Sequence, residues 1–120
     1  MDFSLSQEQI AIGEAVGRIC ASFDDDYWRE CDASARFPEA FRDALVEGGW
    51  LGIAMPEAFG GSGLGITEAA IMMHTIARSA GAMSAASTVH INIFGPHPIV
   101  VFGSEEQKRR WLPEIGRAHV

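Results

Sequence analysis

The sequence predicts an all-α fold, an irregular helical bundle of about five helices in one domain. Three observations lead to this fold class. Apolar residues recur at helical spacing, Ser-x-x-Gln capping boxes start two segments, and no stretch shows the apolar–polar alternation of a strand. Of the 120 residues, 48% are hydrophobic and 21% are charged, which is typical of a globular domain and unlike a disordered chain.

The first helix is expected to begin near Ser6, which forms a capping box with Gln9. Its apolar stripe consists of Ile12, Val16, Ile19 and Phe23. The run Asp24–Asp26 is expected to end this helix as a solvated loop. A metal site there is the lesser alternative, because three consecutive carboxylates point in different directions and lack the alternating spacing of a calcium loop.

A glycine-rich loop separates the second and third helices. Phe37-Pro38 opens the second helix, and Gly48-Gly49 ends it. The loop, Pro56–Gly65, contains the run Gly-Gly-Ser-Gly-Leu-Gly, and the third helix begins at Thr67. This run does not match G-x-G-x-x-G, and no Gly-Lys-Ser/Thr follows it. We therefore expect an irregular turn in preference to a phosphate-binding loop.

The fourth helix falls in a segment without formal charge. Residues 79–104 contain no Asp, Glu, Lys or Arg. Polar side chains and prolines leave no run of about 18 apolar residues, so a membrane span is not expected. We expect a helix buried on most sides, bent or broken around Gly95-Pro96. The fifth helix begins after Ser104, which forms a second capping box with Gln107.

The charge balance and the N-terminus limit the class of protein. The formal net charge is −7, and the single cationic cluster is Lys108-Arg109-Arg110, so nucleic acid is not an expected partner. Two cysteines cannot make a disulfide framework. The first residues lack the cationic start and apolar run of a signal peptide. A cytoplasmic protein is therefore expected.

Histidines are the first candidates for a functional site. His90 shares a helical face with Ala86 and Phe94, at four-residue spacing. From this pattern, a satisfied core histidine and a residue lining a ligand cavity both stay open. His90 and His97 are seven residues apart, but Pro96 intervenes and no carboxylate or cysteine lies near them to complete a metal site. No metal ligand is predicted.

Neither cysteine is predicted to be catalytic. Cys20 follows Ile19 on the first helix, which indicates a core position. Cys31 is placed in the acidic loop, with no histidine near it in the sequence. The chain also shows no nucleophile elbow, no paired general-acid carboxylates and no zinc-protease motif. The residues alone therefore indicate a helical domain without catalytic machinery.

Several short motifs follow one another in a specific order. They are Asp2–Ser6, Phe37-Pro38, Gly49–Ile53, Pro56–Gly65, Phe102–Lys108 and Trp111-Leu112-Pro113. Each motif alone is weak, but in this order and spacing the series resembles the N-terminal α-helical domain of the acyl-CoA dehydrogenase family. The resemblance runs from about residue 2 to residue 113, and it predicts a domain over residues 1–113.

The resemblance implies that a β-domain and a C-terminal four-helix bundle follow in a complete protein. It implies a homotetrameric or homodimeric FAD enzyme that converts an acyl-CoA thioester to a 2-enoyl-CoA and passes electrons to an electron-transfer flavoprotein. The catalytic glutamate and the main flavin contacts belong to those later domains. No catalytic residue and no cofactor-binding residue is therefore expected in this chain.

The resemblance also implies a substrate pocket on the charge-free helix. Its positions fall on Ala86, His90 and Phe94. Phe94 would shorten the acyl cavity, and His90 would add a polar group to it. A short, branched or functionalised acyl group is the resulting expectation.

Two other functions stay open, namely a flavin monooxygenase or nitroalkane-oxidase relative and a stand-alone helical binding module without catalysis. Residues 114–120 resemble the translation of a sequencing-library adapter, and they are expected to be a non-native tail. On that expectation the chain is a fragment, inactive alone, with exposed apolar surface where its neighbouring domains would lie.

Overall fold

The structure, a computed structural model, describes residues 1–116, and within that range the chain is all-α, as predicted. Its α-helices are α1 (Gln7–Ala21), α2 (Asp25–Ala33), α3 (Glu39–Glu47), α4 (Ile66–Ala77), α5 (Ala82–Ile93), α6 (His97–Phe102) and α7 (Glu105–Gly116). Two 3-10 turns lie at Trp50–Gly52 and Glu57–Phe59. Residues 117–120, part of the expected tail, lie outside the described residues, so the boundary at residue 113 stays a prediction.

Helices α1 and α4 form the centre of the fold. They run side by side in the same direction. Two contacts show this, since Gln9 bonds to Glu68 near the first turns of both helices and Gly17 lies beside Thr75 further along. Their buried residues are Ile12, Val16 and Cys20 on α1 and Ala69, Met72 and Ile76 on α4. Helix α5 also packs against α4 and adds Ala85, Val89 and Ile93 to the same core. Each large aliphatic side chain buried here contributes about 1.5–3 kcal/mol.

Hydrogen bonds join the first turns of α1 and α4. The predicted capping box is present, since the backbone N–H of Gln9 donates to Ser6 Oγ and the backbone N–H of Ser6 donates to Gln9 Oε1. Gln9 Nε2 also donates to Glu68 Oε1 at 3.0 Å. Glu68 Oε2 accepts the backbone N–H of Gly65, the residue that caps α4, at 3.0 Å. The bond from Gln9 is the largest cause that holds the pKa of Glu68 below its ordinary 4.5.

Helix α2 is absent from the sequence prediction. The acidic run does not form a solvated loop, because Asp24 Oδ1 accepts the backbone N–H of Tyr27 at 2.9 Å and caps this helix. Asp25 and Asp26 occupy its first turn, where the helix dipole favours negative charge. The carboxylates that follow α1 therefore begin the next helix. Cys31 lies on α2, not in a loop, and it is buried.

An aromatic cluster attaches α2 to α3. Phe23, Tyr27, Trp28 and Phe41 pack edge to face, with ring centroids between 4.8 and 5.4 Å apart. The backbone N–H of Phe41, in the first turn of α3, donates to the hydroxyl of Tyr27 at 3.3 Å. Such edge-to-face pairs add about 0.5–1.5 kcal/mol beyond the area they bury. The short helix α2 is therefore held by side chains from both of its neighbours.

The glycine-rich loop folds back onto the segment before it. Its backbone N–H groups donate to carbonyl oxygens of residues 52–56, through the pairs Gly61–Pro56, Ser62–Gly52, Gly63–Met55 and Leu64–Ile53. Gly61 lies so close to Met55 that a Cβ at position 61 would overlap the Met55 backbone. The loop is thus a closed irregular turn that leads into α4, as predicted.

The charge-free segment contains α5 and α6, which are separated at Gly95-Pro96 as predicted. Pro98 lies in the first turn of α6, where its missing N–H costs no helical hydrogen bond. The second predicted capping box starts α7, since the backbone N–H of Gln107 donates to Ser104 Oγ at 3.2 Å. Within residues 1–116, no helix is long and apolar enough to cross a membrane.

We predict that Gly61→Ala lowers the free energy of unfolding by about 2–3 kcal/mol, because the new methyl group would overlap the Met55 backbone, which cannot move aside like a side-chain tip. Gly49→Ala is the matched control. Gly49 has φ +76°, and a Cβ built there would have no neighbour within 4 Å. Gly49→Ala should therefore lower the free energy of unfolding only through the left-handed backbone conformation, by about 1–2 kcal/mol. Urea denaturation measures both, and a larger loss for Gly49→Ala would contradict the prediction.

We also predict a pH dependence that arises from Glu68. Its pKa is lowered in the folded state, so the carboxylate stabilises the fold above the unfolded pKa of about 4.5, and this contribution is lost as pH falls through the folded pKa. Glu68→Gln should be less stable than the parent at neutral pH and should lose less stability on acidification below about pH 4.5. Thermal unfolding over a pH series tests this, and parallel curves for the two proteins would contradict it.

Candidate functional site

Helix α5 has one face in the core and one face open to solvent. Ala85, Ala86, Thr88, Val89 and Ile93 are buried. On the opposite face, Met83 and Ile91 keep 73% and 69% of their surface exposed, and Ser87 and His90 are exposed as well. The expectation of a helix buried on most sides is therefore wrong for this chain. A helix without Asp, Glu, Lys or Arg carries no charged stripe to show which face is solvated, and packing on α4 decides it.

The predicted site residues Ala86, His90 and Phe94 lie on successive turns along one side of α5. Ala86 is buried at the edge of the core, and Phe94 is half-buried and packs against it. His90 is exposed, and its ring lies against Phe94 with the centroids 5.5 Å apart and the planes inclined at 43°. The interpretation of His90 as a satisfied core histidine is thus wrong. The pocket assignment stays a prediction.

His90 is the single titratable side chain on α5. It lies in the last turn of the helix, where the dipole presents partial negative charge. Within residues 1–116 no hydrogen bond engages its ring, and Ser87, three residues earlier on the same face, is also without one. The sequence analysis missed Ser87, although its spacings of three and seven residues to His90 and Phe94 place it on their face.

The other candidate sites of the sequence analysis do not come together. The N–H groups of residues 61–64 in the glycine-rich loop already donate to carbonyl oxygens of residues 52–56, so they are not available to cradle a phosphate. His90 and His97 lie on different helices, on either side of the Gly95-Pro96 break. Among residues 1–116, no group of three or more His, Cys, Asp or Glu side chains is placed to hold a metal ion.

The cysteines lie in the core of the domain. Cys20 is buried, as predicted, and burial is the largest cause that raises the pKa of its thiol. A raised pKa keeps the sulfur protonated and therefore weakly nucleophilic. Cys31 is buried on α2, close to Tyr27, whose hydroxyl pKa is raised first by burial. Both cysteines thus help to fill the interior of the fold.

Two open grooves flank α2, with volumes of about 770 and 800 Å³. Two of their arginines are already paired with carboxylates, since Arg29 Nη1 lies 2.8 Å from Asp26 Oδ1 and Arg36 Nη2 lies 3.2 Å from Glu30 Oε1. Arg78, which also lines the first groove, forms no ion pair among the described residues. Neither groove includes Ala86, His90 or Phe94. The candidate site is therefore the open face of α5, which forms one wall without an opposite wall in this chain.

Apolar side chains are also exposed at the end of the domain. Phe102, on α6, keeps 85% of its surface exposed, and Trp111, on α7, keeps 47%. The Arg110 guanidinium lies over the Trp111 ring, 4.8 Å from its centroid. Contiguous exposed apolar surface indicates a site of association with another protein surface or a ligand. The predicted exposed apolar surface is thus present on α5, α6 and α7.

Comparison with known proteins relates this geometry to one family. The family described as "Acyl-CoA dehydrogenase, N-terminal domain" matches residues 6–119. Acryloyl-CoA reductase (NADH) of Anaerotignum propionicum is 31% identical over 115 residues, which cover 96% of this chain and 29% of the relative. The mitochondrial isovaleryl-CoA dehydrogenase of Bos taurus is 33% identical over 113 residues, which cover 92% of this chain and 26% of the relative.

A solved structure has the same fold. It is described as "Electron transferring flavoprotein of Acidaminococcus fermentans: Towards a mechanism of flavin-based electron bifurcation", and one of its chains superposes with a TM-score of 0.85 at 27% sequence identity. The superposition covers 98% of this chain and 30% of that chain. This chain therefore spans less than a third of the length of the proteins that it matches.

We predict that Ile91→Lys changes the free energy of unfolding by less than about 0.5 kcal/mol and raises the solubility of the domain, because the residue is exposed on an apolar face. Val89→Lys is the matched control on the buried face of the same helix. An unpaired charge in the core should prevent folding. Circular dichroism measures folding, and the protein concentration at saturation measures solubility. An Ile91→Lys variant that does not fold would contradict the assignment of the buried and exposed faces.

Proposed function

The chain belongs to the acyl-CoA dehydrogenase family as an N-terminal domain, and from that premise we propose that it forms the substrate side of a longer FAD-dependent enzyme. The proposed reaction removes one hydrogen from each of the α and β carbons of an acyl-CoA thioester and gives a 2-enoyl-CoA. The α-hydrogen leaves as a proton to a base, and the β-hydrogen leaves with its electron pair.

The share of the relatives that is matched supports a division of labour. The chain corresponds to 29% of the acryloyl-CoA reductase and 26% of the isovaleryl-CoA dehydrogenase. We propose that the base and the flavin contacts lie in the rest of the enzyme, so that residues 1–113 alone are inactive. When bound there, FAD supplies the acceptor for the β-hydride. The glycine-rich loop of this chain does not fit its pyrophosphate, because the loop N–H groups from Gly61 to Leu64 are already bonded.

The open face of α5 is the part of this chain proposed to bind substrate. The observation that carries the proposal is the alignment of Ala86, His90 and Phe94 along one side of a helix that leaves two apolar side chains, Met83 and Ile91, exposed. A second wall, supplied by the rest of the enzyme, would enclose the acyl chain and exclude water from it. On this proposal the half-buried Phe94 ring limits the depth of the acyl chain, and Ala86, which is buried, lies where this side of the helix meets the core.

The names of the relatives agree with a small acyl group. One is an acryloyl-CoA reductase and another an isovaleryl-CoA dehydrogenase, and the acryloyl and isovaleryl groups are short, the second also branched. We therefore propose a short, branched or functionalised acyl group for the present protein. Because one relative is named a reductase that uses NADH, reduction of a 2-enoyl-CoA, the reverse of the reaction above, is the second candidate.

The partners of the longer enzyme follow from the same proposal. An electron-transfer flavoprotein is the proposed electron acceptor, supported by the description of the matched structure. We further propose that the longer enzyme assembles as a homotetramer or homodimer and is cytoplasmic. Turnover that requires an electron-transfer flavoprotein would indicate the dehydrogenase, whereas turnover that requires NADH would indicate the reductase.

We predict that Phe94→Ala in the complete enzyme, obtained by sequencing the gene downstream of codon 113, favours longer acyl-CoAs. The lost ring opens space for about two methylene groups at about 0.8 kcal/mol each, so kcat/KM for hexanoyl-CoA relative to butanoyl-CoA should rise about tenfold.

Ser84→Ala is the control for this experiment, since Ser84 is exposed on α5 and lines the groove beside α2, off the line of Ala86, His90 and Phe94. Circular dichroism verifies that both variants fold. An unchanged chain-length preference in folded Phe94→Ala would overturn the pocket assignment.

A further inference from the structure

We infer that the acyl group received by α5 carries a hydrogen-bonding oxygen, as a hydroxyl, oxo or carboxylate substituent, and that His90 binds this oxygen with help from Ser87. The inference rests on the proposed function of the open face of α5. It assigns a substrate class, the oxygen-substituted acyl-CoAs, that the names of the two relatives above do not give.

The hydrogen bonds of α5 divide its polar side chains into two groups. On the buried side, Thr88 Oγ1 donates to the backbone oxygen of Ser84 at 2.8 Å, and Asn92 Nδ2 donates to the backbone oxygen of Thr88 at 3.4 Å. Those side chains are satisfied by their own helix. On the exposed side, the side chains of Ser84, Ser87 and His90 have no hydrogen-bond partner among the described residues. Of these three, Ser87 and His90 lie within one helical turn of each other on the side that carries Phe94, so they are the groups placed to bind a ligand there.

The surroundings of His90 make an apolar ligand a poor partner for it. A plain alkyl chain laid along the open face would remove water from the imidazole nitrogens and give no hydrogen bond in return. A substituent oxygen replaces the lost water, because an imidazole N–H donates to it and the Ser87 hydroxyl is a further donor within one helical turn. The unpaired polar group therefore selects against unsubstituted acyl chains.

Apolar neighbours complete the match with such an acyl group. The His90 ring lies against the Phe94 ring, and Ile91 and Met83 are exposed on the same side of the helix. Methylene groups of the substrate would pack on these side chains while its oxygen reaches His90. A site of this kind holds an acyl group that is apolar along its length and polar at one point. The match involves binding alone, with no bond made or broken at His90.

The test uses the complete enzyme and substrates matched in shape. 4-Hydroxybutanoyl-CoA is compared with pentanoyl-CoA, which has a methyl group in place of the hydroxyl, and glutaryl-CoA is compared with 5-methylhexanoyl-CoA, which has an isopropyl group in place of the carboxylate. The ratio of kcat/KM within each pair is measured for the parent, His90→Leu, His90→Gln and the control Ser84→Ala.

The parent enzyme should prefer the oxygen-bearing member of at least one pair by about tenfold, the usual effect of one hydrogen bond. His90→Leu should abolish that preference, His90→Gln should restore part of it, and Ser84→Ala should leave it unchanged. His90 is exposed, so these variants are expected to fold.

Two results overturn the inference alone. They are a parent enzyme that turns over the unsubstituted acyl-CoAs better in both pairs, and a ratio that His90→Leu does not change. A folded enzyme that acts on no acyl-CoA, oxygen-substituted or plain, overturns the proposed function and this inference with it.

Discussion

Burial of α4 against α1 and α5 is the contact on which the rest of the structure depends. Met72 and Ile76 of α4 are fully buried, and they hold both neighbouring helices in place. The first turns of α1 and α4 are joined by the bonds of Gln9 and Glu68, which fix how far one helix can slide along the other. With α4 in place, α5 has one face committed to the core through Val89 and Ile93, so its opposite face must point outward.

The open face of α5 is therefore a consequence of packing. Because residues 79–104 carry no formal charge, no solvated charged group has to be moved before another surface covers this face. Covering Met83 and Ile91 would release water from apolar surface, which is favourable, whereas covering His90 is unfavourable unless it gains a partner. In the proposed function, this face would pack against the apolar part of an acyl chain over most of its area, and His90 would require a hydrogen-bonding group at one point.

Local signals predicted the helix starts well and the burial of α5 poorly. The boxes formed by Ser6 with Gln9 and by Ser104 with Gln107 depend on residues three apart, so they are visible in the sequence. Helix α2 was missed because its carboxylates resemble a helix end, and its place is set by aromatic contacts with Phe41, far along the chain. The spacing of Ala86, His90 and Phe94 was predictable, but the exposure of His90 depends on α4, which no pattern within α5 contains.

The glycine-rich loop shows why a motif needs its hydrogen bonds before it is given a function. Its glycines suggest an anion cradle, yet their N–H groups already donate to oxygen atoms of the loop itself, of the segment before it and of Glu68. Gly61 is also required by its close approach to Met55. The glycines therefore serve the fold, by bringing the chain tightly around into α4. The exposed polar groups Ser87 and His90 lie instead on the helix that α4 orients, where they face solvent. The loop therefore serves the fold, and the recognition proposed for this chain falls on the open face of α5, separate from the chemistry proposed for the rest of the enzyme.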